Sequence, residues 1–188
     1  MLYSKIVEDL LINAFTGESM ARNRYTFFAK VADKEGYKEV RDVFLETANN
    51  EHEHAKLFYK HIPQGKHTTS SAYPYFLGTT VDNLKFSAEG EREEWEKIYR
   101  NSADIAKEEG FDEVSALFKS IIEVEKHHDF RFTKLYENIV NNTMFVKPVQ
   151  TQWICKKCGY ILISNEAPLH CPCCKHDRGY FKEFCEKY

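Results

Sequence analysis

The chain carries a Glu-x-x-His pair twice, Glu51 with His54 and Glu125 with His128, 74 residues apart. The surroundings repeat in register. Glu35-Gly36-Tyr37-Lys38-Glu39-Val40 returns as Glu109-Gly110-Phe111-Asp112-Glu113-Val114, and Phe44 returns as Phe118. Tyr25, Ala29 and Ala32 return as Tyr99, Ala103 and Ala106. A duplicated helical hairpin with a metal-ligand pair in each copy constrains both fold and chemistry. Folding alone has no use for ionisable groups on buried faces.

Residues 3 to about 142 are rich in Glu, Lys, Ala, Leu and Phe and poor in helix breakers. Four long helices are expected, over about 4–34, 38–61, 80–108 and 112–141. Gly36 and Gly110 end the first and third, and Pro63 with Gly65 stops the second. The first and last links are tight, so each helix pair is an antiparallel hairpin, while the longer middle connection must cross over. The expected fold is mainly α, a ferritin-like four-helix bundle. Residues 142–151, with Pro148, read as a linker to a small cysteine-rich domain. The expected domains are residues 1–145 and 150–188.

Apolar positions recur at alternating steps of three and four. The first stripe is Val7, Leu11, Ala14, Glu18, Ala21, Tyr25, Phe28, Ala32, and the second is Val40, Phe44, Thr47, Glu51, His54, Phe58. The third is Leu84, Ala88, Glu91, Trp95, Ile98, and the fourth is Val114, Phe118, Ile121, Glu125, His128, Phe132, Leu135. A carboxylate interrupts each stripe near its middle, so the four should meet at one level. Unpaired buried carboxylates cost several kcal/mol each, so the set calls for cations. Spacing i, i+3 lets a Glu oxygen and a His nitrogen bind one metal. Carboxylates with imidazoles suit iron or manganese. Two helices giving Glu and two giving Glu-x-x-His make the di-iron carboxylate pattern. His52, Glu53, Glu93, Glu96 and His127 lie off the stripes and read as solvated surface. Glu94 is a surplus carboxylate. Tyr25 lies seven residues past Glu18, but Tyr99 lies eight past Glu91. One extra residue inside a helix usually becomes a π-bulge, a feature that clusters at functional sites, and Glu94, three residues past Glu91, can reach the metals too.

The net charge of -3 implies no strong attraction to nucleic acid or to anionic lipid. No apolar stretch is long enough to span a bilayer, and residues 1–15 lack the pattern of a signal peptide. All six cysteines follow residue 150. Without an export signal they read as metal ligands in a reducing, cytoplasmic setting. Cys155-x-x-Cys158 and Cys171-x-x-Cys174 can wrap one tetrahedral metal. The bare pattern fits zinc or a single iron, and a redox bundle beside it favours iron. Cys173 adds a small ambiguity, and Cys185 reads as a lone thiol.

These motifs resemble the rubrerythrin family over nearly the full length. The resemblance rests on Gly17-Glu18-Ser19-Met20-Ala21-Arg22-Asn23-Arg24-Tyr25, Phe44-Leu45-Glu46-Thr47-Ala48, and Glu51-His52-Glu53-His54-Ala55-Lys56. It rests also on Ala88-Glu89-Gly90-Glu91 with Glu94-Trp95, Glu123-Val124-Glu125 with His128, and the rubredoxin-like Cys-x-x-Cys-Gly-Tyr and Cys-Pro-x-Cys. It implies a cytoplasmic homodimer, or a higher oligomer, that reduces hydrogen peroxide to water. Electrons would come through a rubredoxin-type centre from a rubredoxin or an NAD(P)H-dependent reductase. Two irons would bind Glu18, Glu51, His54, Glu91, Glu94, Glu125 and His128, and one would bind Cys155, Cys158, Cys171 and Cys174. Zinc could replace iron in recombinant material. Lys175 departs from the family, whose second knuckle continues with a small residue. A non-glycine residue at positive φ there would be strained.

Three further expectations follow. Glu94 and His54 should exchange at one iron with redox state, since carboxylate favours the harder ferric ion. Tyr25 and Tyr99 should donate hydrogen bonds near the site, because buried phenols need partners. The working electron path should cross a subunit interface, with the cysteine domain of one subunit beside the bundle site of the other. The competing readings are a ferroxidase or iron-storage protein and a structural protein with a zinc ribbon.

Overall fold

The computed structural model describes residues 4–186. Residues 1–3 and 187–188, the outermost parts of the two expected domains, lie outside the described residues. Helix α1 (Lys5–Lys34) is capped by Ser4, whose hydroxyl accepts a hydrogen bond from the Val7 N–H at 3.4 Å. Helix α2 (Lys38–Tyr59) follows. Helix α3 (Thr80–Glu93), a π-helical turn (Glu94–Ile98) and α4 (Tyr99–Glu108) run on as the third long rod, and α5 (Asp112–Val140) is the fourth. The π-turn therefore lies where the extra residue between Glu91 and Tyr99 required it.

The duplication extends to single hydrogen bonds. Gly36 (φ +86°) ends α1 and Gly110 (φ +83°) ends α4, a left-handed conformation that glycine adopts without strain. Beyond them, the Tyr37 N–H reaches Ala32 O and the Phe111 N–H reaches Ala106 O, both at 2.8 Å. Residues 60–79 cross between the hairpins. Thr79 and Asp82 then form a reciprocal capping box at the start of α3.

Two aromatic clusters fill the bundle, one on each side of the carboxylate level. Tyr25, Phe28, Phe44 and Phe132 lie on one side, and Phe58, Tyr99 and Phe118 on the other. The stripes expected on the first, second and fourth helices are buried, except Leu135, which packs half-buried against the first cluster. The third stripe needs correction. Trp95 is only half-buried and Ile98 is 47% exposed. The π-turn adds one residue to the helical repeat, so Tyr99, Ala103 and Ala106 face the core instead.

The C-terminal domain is an antiparallel sheet of order β2-β1-β3, with β1 Val146–Cys155, β2 Ile161–Glu166 and β3 Phe181–Glu183. The stretch expected as linker, 142–151, is thus largely strand. Pro148 is tolerated because the β1–β2 register is interrupted between Val146 and Thr151. Trp153, Ala167 and Phe181 form a small core with Cys155 and Cys171. This domain sits on the α1–α2 end of the bundle. The Lys156 ammonium pairs with Asp42 at 2.7 Å and also with Glu39. Tyr37 stacks on Phe145, and Gly179 packs so closely on Gly36 that a Cβ would collide with the Gly36 carbonyl. No described helix is long and apolar enough to cross a membrane.

Candidate metal centres

The four stripe carboxylates and both histidines meet at one level. Glu18, Glu51, His54 and Glu125 form one group, and Glu51, Glu91, Glu125 and His128 another. In each, one ligand atom per residue lies within 4.8 Å of the rest. All six residues are buried. Glu51 and Glu125 belong to both groups, so each can span two ions. Glu18 and His54 are placed to serve one, and Glu91 and His128 the other.

The residues fit a pair of metal ions better than they fit one another. His128 Nδ1 lies 2.7 Å from Glu125 Oε2 and 3.1 Å from Glu51 Oε1. Neither approach has hydrogen-bond geometry, and His128 Nδ1, Glu51 Oε1, Glu91 Oε2 and both Glu125 oxygens are left without a hydrogen-bond partner. Buried polar atoms that converge on shared space without bonding are what a cation would satisfy. The histidines present Nδ1 to the carboxylates. On the far side of its ring, His128 Nε2 lies 3.2 Å from Asn50 Oδ1, which selects the tautomer leaving Nδ1 free to bind. Asn50 carried no sequence signal, because its partner is on another helix.

Burial, then the charge of Glu51, raises Glu18 to about 8. Burial, then the charge of Glu91, raises Glu125 to about 7. Burial disfavours the charged form of His128, yet its contacts with Glu125, Glu51 and Glu91 push it up to about 12. Metal binding at these groups would therefore have to displace protons near neutrality.

The phenols connect the two halves crosswise. Tyr25 Oη donates to Glu91, and Tyr99 Oη donates to Glu18 Oε1 at 2.5 Å. Both tyrosines therefore hydrogen-bond to site carboxylates, as expected. Glu94 belongs to neither four-residue group. It is half-buried at the π-turn and lines an open cavity of about 540 Å³ with Tyr99, Gly17 and Tyr73. Burial, then the charges of Glu91, Glu18, Glu125 and Glu51, hold its pKa well above the usual carboxylate range. His52, Glu53, Glu93, Glu96 and His127 are exposed.

In the small domain Cys155, Cys158, Cys171 and Cys174 converge. Cys155 and Cys174 Sγ are 3.8 Å apart, and Cys158 and Cys171 Sγ are 3.6 Å apart. Those spacings are too long for disulfides. They match the edge of a tetrahedron with metal–sulfur bonds of about 2.3 Å. Burial works against the Cys171 thiolate, but the backbone N–H groups of Cys174 and Cys173 bring it down to about 7. Cys173 and Cys185 are exposed and outside the group. The two knuckles end differently: Gly159 follows Cys158 at φ +78°, and Lys175 follows Cys174 at φ +63°.

Residues 9–136 match the family model Rubrerythrin, and residues 153–182 match the model for the rubredoxin-like domain of rubrerythrin. The chain is 47% identical to a rubrerythrin of Clostridium perfringens over 190 residues, covering 98% of this chain and 97% of that protein. It is 42% identical to a rubrerythrin of Porphyromonas gingivalis over 182 residues, covering 96% and 91%. Among solved structures it is similar to fully reduced, all-ferrous nigerythrin, with a TM-score of 0.64 and 27% identity. That match covers 98% of this chain and 89% of the other. A two-ion carboxylate site in a ferritin-like bundle and a four-thiolate site in a rubredoxin-like domain, matched together along almost the whole sequence, place the chain in the iron-binding rubrerythrin family.

Proposed function

We propose that the protein is a peroxidase that reduces hydrogen peroxide to water. The observation that carries this reading is Glu94. A seventh potential ligand stands at a π-turn beside a complete six-residue set, on the side where a cavity opens to solvent. Metal storage needs no such group. A ferrous pair supplies the two electrons that cleavage of a peroxide O–O bond takes up. Glu18, Glu51, Glu91, Glu125, His54 and His128 would hold the ions, with Glu94 and His54 as alternative ligands at the Glu18 position. Tyr25 and Tyr99 keep the Glu91 and Glu18 oxygens oriented by donating to them. Glu94, raised in pKa and open to the cavity, can carry a proton on a carboxyl oxygen toward departing water. Cys155, Cys158, Cys171 and Cys174 would hold a single iron, which would supply one-electron transfer from a rubredoxin or an NAD(P)H-dependent reductase. The setting is the cytoplasm.

The active unit in this reading is a homodimer. The cysteine domain contacts its own bundle at Glu39 and Asp42, twelve and nine residues before Glu51. At 1.5 Å per residue that is roughly 14–18 Å along α2. A head-to-tail partner could bring its cysteine domain alongside the site instead. The reduced, iron-loaded protein should turn over hydrogen peroxide faster than dioxygen. The opposite order would point to a ferroxidase. Mixing subunits lacking Cys155 and Cys158 with subunits lacking Glu51 should restore activity in heterodimers, and dead heterodimers would exclude the intersubunit path.

A further inference from the structure

We infer that Asp129 is a positioning residue for Glu94, acting through Arg92 and Trp95. This rests on the reading of Glu94 as a metal ligand. Asp129 directly follows His128 and is buried, yet it belongs to neither metal group. Its carboxylate faces the third rod. Arg92 forks onto it, Nε to Oδ2 at 3.0 Å and Nη2 to Oδ1 at 2.8 Å. Trp95 Nε1 donates to Oδ2 at 3.1 Å, and Thr133 Oγ1 donates to Oδ1 at 3.0 Å. One carboxylate on α5 thus grips the last turn of α3 and the first turn of the π-helix, on either side of Glu94.

The grip matters because a π-turn can migrate. A surplus residue in a helix can be absorbed at any turn along it, and each step rotates the residues it passes by about 100°. Here the surplus is trapped between two fixed points. Arg92 and Trp95 are tied to Asp129, and four residues past Trp95 the Tyr99 phenol is tied to Glu18. Arg100 and Lys126 each lie 5.7 Å from the centre of the Trp95 ring, and Arg100 Nε donates to the Trp95 carbonyl at 3.3 Å. With the Asp129 end released, the turn can shift toward α3 and carry Glu94 out of register with Glu18 and His54. The Arg92 side chain is 46% exposed, so the pair contributes little to global stability. Its effect is local, on where the surplus residue sits.

The test uses the full-length chain. In metal-free Asp129→Ala, amide hydrogen exchange over residues 94–99 should quicken about ten- to a hundredfold, the rest of the bundle keeping its protection. In the iron-loaded protein, the Mössbauer doublet of one ion of the diferric pair should shift. Asp129→Asn, which keeps an acceptor oxygen, should fall between Asp129→Ala and the parent in both. Trp95→Phe removes a single bond and should show the same changes in weaker form, which keeps the inference testable if Asp129→Ala fails to fold. Unchanged exchange at 94–99 in any folded variant overturns the inference. So does faster exchange with an unchanged doublet, provided Glu94→Ala moves that doublet. If Glu94→Ala leaves the doublet unmoved as well, the reading of Glu94 as a ligand falls, and the inference with it.

Discussion

The two halves of the bundle set the same groups at the same level, and they differ by one residue. In the first half α1 is regular from end to end, with Glu18 and Tyr25 two turns apart. In the second half the matching pair, Glu91 and Tyr99, is separated by the π-turn. Each half still sends its tyrosine to the carboxylate of the other. The frame is therefore two-fold where it binds ions and one-sided where it meets the open cavity. Duplication supplies two equal ligand sets. The inserted residue supplies Glu94, which has no counterpart in α1. The cysteine knuckles make the same point on a smaller scale, one ending in Gly159 and the other in Lys175, with the backbone left-handed in both.

Several changes would break or sharpen this comparison. The largest effect is expected where the halves share residues. Glu125→Ala should empty both bundle positions, since Glu125 belongs to both groups, whereas Glu18→Ala should empty one. Iron per chain, measured with the thiolate iron as internal reference, separates the two results. Deleting Glu96 should make the second half resemble the first by returning the π-turn to plain α-helix. Iron should remain bound by the six shared ligands, while peroxide turnover falls by about 10²-fold for a misplaced group. Retained turnover would mean that Glu94 is dispensable. Tyr25→Phe and Tyr99→Phe each strip a buried carboxylate oxygen of its donor, a cost of about 1–3 kcal/mol in urea unfolding of the metal-free chain. The two-fold frame requires nearly equal losses, and a clear inequality would carry the asymmetry beyond the π-turn. The smallest effect belongs to the knuckles. Lys175→Gly should relieve about 1 kcal/mol of left-handed strain, part of it offset by glycine's freer unfolded chain. The check is a slightly higher midpoint for thermal loss of the thiolate-iron absorption.

Glu18, Glu51, His54, Glu91, Glu125 and His128 were legible in the sequence because helical spacing reports which face a side chain takes, and each of them interrupts an otherwise apolar face. The π-turn was legible only through the duplication, which supplied a second copy to count against. Its consequence for neighbours was not: a stripe drawn at regular spacing kept Ile98 in the core, where the added residue puts Tyr99. Asn50 and Asp129 were illegible for a different reason. A polar residue on a charged helix looks the same whether it faces water or a partner, and theirs stand 78 and 37 residues away, on His128 and Arg92. The early start of β1 was hidden by Pro148, which reads as a break unless the sheet register is already known to slip there.

The contact between Gly36 and Gly179 bears on how freely the two domains can be recombined. Gly36 has two duties: its left-handed backbone ends α1, and its carbonyl is the surface on which Gly179 rests. A chimera that joins this bundle to another cysteine domain would meet that surface with whatever residue stands in place of Gly179. Any side chain there would prop the graft away from Tyr37, Glu39 and Asp42 and leave it hinged on residues 141–145. Each domain could then bind its iron normally while the distance between the centres became a variable instead of a constant. The seam makes the spacing of the two centres a heritable property of paired glycines, so the domains are best exchanged as a matched set.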